Sequence, residues 1–268
     1  RLSLVGSEMC IRDRFYFGKI DKEFPEIDDE RYNLRCNRIL KYLADKLDLS
    51  GYEKDDIAVV IGTTNSGIEE FETSDNKHHA ELGNPAEFLQ KYLGLNNYAA
   101  SVSTACTSGI KAFAAARRLL ENDVCKAVIA GGIDTLASMP IYGFDALEVL
   151  SHEKTNPFSK NRSGISIGEA GALFLLEKNK DGIKIMGIGE TSDAYHSATP
   201  DPQGVQAAEA IQIALEDAGL MPKDIDYINL HGTGTISNDL MEANAVYKVF
   251  GSGVPASSTK PVTGHCLG

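Results

Sequence analysis

Apolar residues recur at helical spacing between positions 31 and 47 (Leu34, Ile39, Leu40, Leu43, Leu47), and the pattern stops at a polar loop containing Gly51. This predicts an amphipathic helix. Residues 57–61 form a short β-branched run closed by Gly62, as expected of a strand buried on both faces of a parallel sheet. The alternation then repeats. Residues 98–102 predict a strand, a helix runs from about residue 106 to 120, and residues 127–130 predict another strand before Gly131 and Gly132. Farther on, 172–177 and 182–188 are strand-like, 205–218 helical, 225–230 a strand and 240–249 helical. Strands alternating with helices predict an α/β layered domain.

The second half copies the first in outline. A helix, a loop, Lys54-Asp55, a strand and Gly62-Thr63 are echoed by a helix, a loop, Lys223-Asp224, a strand and His231-Gly232-Thr233. STACTSG at 103–109 lines up with STKPVTG at 258–264. Two matches in the same order indicate internal duplication. A duplicated unit sets equivalent loops around a pseudo-twofold axis, so Cys106, His231, Lys260 and His265 are expected to converge although they lie far apart in sequence. The chain divides accordingly into a first half at 15–178 and a second, incomplete half at 179–268. Residues 1–14 (RLSLVGSEMCIRDR) resemble translated sequencing-adaptor sequence and are set aside from the fold reading, which leaves Cys10 without a role and the true amino terminus missing.

Length and composition narrow the function classes. With 268 residues and 43% hydrophobic content, the chain suffices for one large core or two small ones. No apolar run reaches the roughly 18 residues that span a bilayer, and no signal-peptide pattern is present, so a cytoplasmic location is expected. A formal charge of -12 supplies no basic stripe for nucleic acid or anionic lipid. Five scattered cysteines without a CxxC pair argue against a disulfide framework and against a zinc site.

Cys106 follows a predicted strand and a small-residue turn, and begins a helix. Unpaired N–H groups and the helix dipole at such a position favour thiolate. Position alone leaves two readings open, a nucleophile and a buried structural cysteine; Cys36, Cys125 and Cys266 take the structural one. His231 ends a strand and precedes Gly232-Thr233-Gly234-Thr235, a turn that lets a ligand approach the backbone. His265 sits beside Gly264, with Lys260 five residues before it. Each histidine taken singly reads equally as ligand-facing or as merely hydrogen-bonded. His78, His79, His152 and His196 occupy polar loops and are read as surface residues.

STACTSG, NLHGTGT with Asp239 and Glu242 downstream, and STKPVTGH closely resemble the three active-site segments of elongating β-ketoacyl-acyl-carrier-protein synthases. Gly131-Gly132-Ile133-Asp134, Asn156-Pro157-Phe158-Ser159, Arg162-Ser163-Gly164 and Gly168-Glu169-Ala170-Gly171 agree in the same order. The resemblance covers residues 57–268. It implies the thiolase-like fold, two duplicated α/β halves in a layered α-β-α-β-α architecture, with the second half truncated. It implies a Cys-His-His set: Cys106 holds an acyl thioester and supplies one oxyanion N–H, while His231 and His265 stabilise the enolate formed as malonyl-carrier protein loses carbon dioxide. Lys260 is expected to orient His265 and Glu242 by charge-assisted hydrogen bonds, Glu242 to support the site, and Asp239 to cap a helix. No metal or cofactor is implied. The implied partners are acyl-carrier protein and a second ketosynthase subunit, in a homodimer or a heterodimer. The family's carboxy-terminal segment with the second oxyanion donor is expected beyond Gly268, and Asp134, where many fatty-acid enzymes carry Glu, hints at a branch like aryl-polyene synthesis. The alternative is a non-condensing, chain-length-factor-like partner, against which Cys106 argues; a nucleotide-binding reading lacks GxGxxG or GxxxxGK[ST] after a strand.

Overall fold

The computed structural model describes residues 2–5, 15–74, 76–178, 181–197 and 199–268. Cys10 and most of the adaptor-like stretch lie outside the described residues, although Leu2–Val5 (β1) pairs antiparallel with Phe17–Ile20 (β2). There follow α1 (Arg35–Ala44), β3 (Ile57–Gly62), α2 (Ile68–Ser74), α3 (Asn84–Leu93), β4 (Ala99–Val102), α4 (Ser108–Glu121), β5 (Ala127–Asp134), α5 (Ser138–Ala146) and β6 (Ala170–Glu177). The second part contributes α6 (Val205–Ala218), β7 (Ile228–Asn229), α7 (Ile236–Phe250), β8 (Ala256–Ser257) and the single turn α8 (Lys260–Thr263).

The main sheet has the order β4-β3-β5-β6. β3 runs parallel to both β4 and β5, and β6 closes one side antiparallel to β5. The wholly buried run from Ile57 to Gly62 follows from this central place. Its odd positions Ile57, Val59 and Ile61 pack with Ile129 and Ile133 against Ile39 and Leu40 of α1 and Phe88 and Leu89 of α3. Its even positions Ala58 and Val60 join Val128 and Ala130 against Ala112, Ala116 and Leu120 of α4. The period of two thus divides one apolar strand between two cores. Cys36 lies buried in the first core and Cys125 in the second, as structural cysteines. A bidentate pair between Arg35 and the buried Glu169, with contacts of 2.7 and 3.0 Å, fastens the start of α1 to the entry of β6.

In the second part, β7 and β8 again pair in parallel around an intervening helix. The strand expected at 182–188 is not regular structure: Ile183 is fully exposed, and the main chain bonds to no neighbouring strand among the described residues. Instead Gly187 and Gly189 lie so close to α6 that an added Cβ would fall 2.2 Å from the Ala214 carbonyl oxygen and 1.9 Å from that of Ala210. The expected strand at 225–230 contracts to two residues. The helix expected from 240 begins at Ile236, and its cap is Thr235, whose hydroxyl accepts from the Asn238 N–H. Asp239 is therefore not the cap. It is buried inside the first turn, where it accepts from the N–H of Phe158 at 2.6 Å and of Gly234 at 3.1 Å. Of the four histidines read as surface residues, His79 is buried, held by Ser74, Asn76 and the Glu30 carbonyl.

The carboxyl ends of β3, β4 and β5 share one edge of the sheet, the edge where ligands bind in open α/β folds. Asp134, the buried last residue of β5, organises it. Its carboxylate accepts from the Thr63 hydroxyl at 2.9 Å and from the N–H groups of Thr64, Asn65 and Gly268 at 2.8, 2.7 and 2.6 Å. Thr64 in turn donates its hydroxyl to the Ala105 carbonyl at 3.3 Å. The turn after β3, the turn before α4 and the segment after α8 are thereby joined through one side chain. Asp134→Ala leaves several buried donors without a partner, each costing roughly 1–3 kcal/mol. We predict a loss of about 3 kcal/mol or more in urea unfolding, and a loss below about 1 kcal/mol would show that the carboxylate is not the tie.

Candidate active site

The turn before α4 is fixed by its own side chains. Ser108 Oγ donates to the Ala105 carbonyl at 2.6 Å and accepts from the Thr104 N–H at 2.9 Å, and Thr107 Oγ1 donates to the Thr104 carbonyl at 2.8 Å. Ala105 is held at φ 53°, in the left-handed region that residues other than glycine rarely adopt. Gly62 lets α4 begin directly on the end of β3, since a Cβ there would lie 2.5 Å from the carbonyl of Ser108. Cys106 stands two residues ahead of α4 rather than inside it, and its side chain is exposed.

His265 arrives from the other half of the chain. Its N–H donates to the Ser166 carbonyl at 2.7 Å and its carbonyl accepts from the Gly168 N–H at 2.8 Å. Gly264 before it adopts φ 73° against the carbonyl of Ile167, a conformation glycine reaches without penalty. The Leu267 N–H donates to His265 Nδ1 at 3.2 Å. That bond assigns the proton of the neutral ring to Nε2, and Nε2 lies 3.1 Å from Cys106 Sγ.

His231 follows β7, and Glu242 holds it through the backbone: one carboxylate accepts from the N–H of His231 at 2.5 Å and of Gly232 at 2.8 Å. Lys260 donates to the His231 carbonyl, and its Nζ lies 3.5 Å from His231 Nδ1. An ammonium facing Nδ1 leaves this ring's proton on Nε2 as well. The two imidazoles meet edge to face with centroids 5.1 Å apart. Cys106 Sγ and one nitrogen of each ring all lie within 4.8 Å of one another. Cys106, His231 and His265 are thus brought together, with Lys260 and Glu242 around them. The expected bonds from Lys260 to His265 and Glu242 are replaced by its bonds to His231. Sequence reasoning noted Asp134 only as a mark of the branch and missed its tie between segments, and it missed the buried Thr155, whose hydroxyl is shared between the carbonyls of Gly164 at 2.8 Å and Thr233 at 3.2 Å.

Desolvation governs the charges. Burial, assisted by the Lys260 cation, lowers His231 to about 4 and His265 to about 2. Both rings are neutral at pH 7, each with an N–H to offer. Burial likewise lowers Lys260, opposed by Glu242 and Cys106, and raises Glu242 despite its two backbone donors. The Cys106 thiol is open to solvent on one side yet closely ringed by protein atoms on the other; desolvation raises it above its ordinary value, with Lys260 pulling the opposite way. The thiolate expected from a helix start is therefore not the resting state. Cys266, more enclosed, is pushed up to about 11.

Exposure together with this direction of shift sets an order of reactivity. Iodoacetamide should label Cys106 well before Cys36, Cys125 or Cys266, at a rate that climbs about tenfold per pH unit from pH 7 towards 9. Peptide mapping across that range is the measurement, and a rate independent of pH above 7 would mean that the thiol is already ionised.

Comparison with known proteins places the chain in one family. Residues 18–182 match the model for the beta-ketoacyl synthase N-terminal domain and residues 183–268 the model for the C-terminal domain. The chain is 37% identical over 187 residues to the 3-oxoacyl-[acyl-carrier-protein] synthase 2 of Coxiella burnetii, covering 63% of this chain and 45% of that protein. It is 31% identical over 256 residues to the protein of the same name from Staphylococcus aureus strain N315, covering 83% and 61%. The chain thus spans about half to three fifths of the length of these relatives. Among solved structures, one chain of the complex between the ketosynthase ApeO and its chain length factor ApeC from Xenorhabdus doucetiae superposes with a TM-score of 0.87 at 41% identity, over 95% of this chain and 69% of that one. A beta-ketoacyl synthase from Burkholderia phymatum shares the fold at a TM-score of 0.81 and 24% identity, over 94% and 71%. With a thiolase-like α/β fold and the two domain models meeting at residues 182 and 183, the chain belongs to the β-ketoacyl synthase family.

Proposed function

We propose that this protein carries out decarboxylative condensation of an acyl group held on Cys106 with a malonyl group presented by acyl-carrier protein. The observation that carries this reading is the meeting of one accessible sulfur with two neutral imidazoles, each with an N–H at Nε2. In the first half-reaction Cys106 Sγ attacks the carbonyl of an acyl-carrier thioester. The new sulfur–carbon bond replaces the carrier's, and the thiol proton leaves with the carrier's sulfur. His265 at 3.1 Å donates to Sγ and so supports its negative charge as the proton departs.

In the second half-reaction the malonyl thioester loses carbon dioxide, and the electron pair of the broken bond becomes an enolate. His231 and His265 donate to its oxygen. Their depressed basicity suits this role, because a neutral imidazole N–H stabilises the oxyanion by a hydrogen bond while keeping its proton, whereas an imidazolium could protonate the enolate and quench it. The enolate carbon attacks the acyl carbonyl on Cys106, the Cys106 N–H supports the tetrahedral oxyanion, and collapse returns the Cys106 thiolate. Lys260 and Glu242 are positioning residues: one holds His231 by its carbonyl and faces Nδ1, the other holds its N–H.

Cys106→Ala removes acyl storage and spares both donors. Intact-mass measurement after mixing with acyl-carrier protein should show an acyl adduct on the native protein and none on the variant, while carbon dioxide release from malonyl-carrier protein survives in the variant. His231→Ala should lower that release by a factor on the order of 10² to 10³. An adduct at another residue, or decarboxylation that needs the thiol and not His231, would sink the assignment.

The carrier as partner is supported by a similar solved structure, that of a type II polyketide acyl-carrier protein in complex with its ketosynthase, at 25% identity and a TM-score of 0.77. Pairing with a second subunit is supported by the complex of ApeO with a chain length factor. In this chain β4 forms an edge of the main sheet beside α4, and we assign the subunit contact there. Light scattering should give a homodimer; a fully active monomer would overturn the assignment. Among the described residues no helix is long and apolar enough to cross a membrane.

A further inference from the structure

Two residues other than glycine in left-handed backbone flank the reactive pair: Ala105 directly before Cys106 and Leu267 two places after His265, both at φ 53°. One carboxylate reaches the surroundings of both. We propose that Asp134 is a positioning residue that fixes which nitrogen of His265 carries the proton, through the Gly268 N–H, while it holds the turn of Cys106 through Thr64. Its two oxygens serve different segments. Oδ1 accepts from the Thr63 hydroxyl and from the N–H groups of Thr64 and Asn65 at 2.9, 2.8 and 2.7 Å. Oδ2 accepts from the Gly268 N–H at 2.6 Å and shares that of Thr64 at 3.0 Å.

The Oδ2 arm leads to the imidazole. Gly268 fits closely against the sheet edge, where a Cβ would lie 2.8 Å from Asp134 Oδ2 and 3.0 Å from Ser108 Cβ and Thr64 Oγ1. Anchored there, the chain keeps Leu267 in a conformation that leucine abandons unless its surroundings hold it, with its side chain buried among Leu136, Ile165 and Ile167. The backbone so held presents the Leu267 N–H to His265 Nδ1 at 3.2 Å. A donor at Nδ1 leaves only Nε2 for the ring's proton, and Nε2 faces Cys106 Sγ at 3.1 Å. Were the backbone at 267 to relax, Nδ1 could take the proton and Nε2 would turn a lone pair towards the sulfur, which removes a donor from the enolate. The Oδ1 arm leads to the sulfur. Thr64, held by its N–H, donates its hydroxyl to the Ala105 carbonyl at 3.3 Å. The inference rests on the condensation reading only for its effect on rate; the tautomer stands on the hydrogen bonds alone.

Asp134→Asn separates the two arms. The amide oxygen takes the place of Oδ1 before its three donors, and the amide NH2 then meets the Gly268 N–H, donor against donor. The measurement is the nitrogen NMR spectrum of the histidine rings in the full chain, with His265 assigned by the signals lost in His265→Gln. Native His265 is expected to be neutral at pH 7 with its proton on Nε2, and Asp134→Asn to move roughly a third or more of the population to the Nδ1–H tautomer. In the same variant, kcat for carbon dioxide release from malonyl-carrier protein should fall by a factor on the order of 10 to 100, with KM within about threefold, because the donor is altered and the docking is not. A native tautomer retained in Asp134→Asn, whatever its stability in urea, or a kcat unchanged despite a shifted tautomer, would overturn the proposal. So would an Nδ1–H tautomer in the native protein, a measurement that decides even if the variant fails to fold. The expected tautomers in a chain that releases no carbon dioxide would sink the condensation reading and leave this inference standing.

Discussion

Two sets of parallel strands deliver their carboxyl ends to one place, and everything reactive in this protein depends on that. β4 beside β3 brings the turn of Cys106 to the carboxyl edge of the main sheet, while β7 delivers His231 and its parallel neighbour β8 delivers Lys260 and His265. The sulfur and its partner imidazole are 159 residues apart in the chain, so no local preference brings them together. What holds the two edges to each other is polar and buried. Asp134 reaches the Gly268 N–H, Asp239 reaches the N–H of Phe158, and Gly164 donates to the Gly234 carbonyl at 3.0 Å. In a region of low dielectric such bonds are strong when complete and costly when broken, so the geometry of the trio is as firm as these ties.

The same burial decides the charge states. Enclosure depresses both imidazoles far below neutrality and raises the thiol, which leaves a site whose resting form at pH 7 is uncharged at all three groups, with Lys260 the nearby cation. A resting thiolate would react with any soft electrophile. A thiol that yields its proton only when a partner is in place restrains that reactivity, at the expense of a driving force that must come from the substrate.

Much of this was legible in the sequence. α6 begins and ends as expected because Gly204 and Gly219 flank it in left-handed conformations, φ 62° and 66°, and punctuation of that kind is local. The run after residue 57 announces a two-sided strand because every residue in it is apolar or glycine. Cys106, His231 and His265 stood out by motif and by resemblance. What could not be read is what depends on partners distant in the chain: that Lys260 turns to His231 rather than to Glu242, that Asp134 gathers three segments, that His79 is enclosed. The segment at 182–188 carries a strand's alternation, but a strand exists only with a neighbour to bond, and that is not written in its own residues.

Ala105 gives the turn a mechanical character. A side chain in the left-handed region costs roughly 1–2 kcal/mol, and a glycine would adopt φ 53° without that cost. Glycine would equally well adopt many other angles, each swinging the next residue elsewhere. A methyl group at this position leaves the backbone few alternatives, so the surrounding hydrogen bonds of Ser108 and Thr64 work against a stiff hinge rather than a loose one. The turn behaves as a loaded clamp: stability surrendered at one residue becomes angular precision at the sulfur that follows.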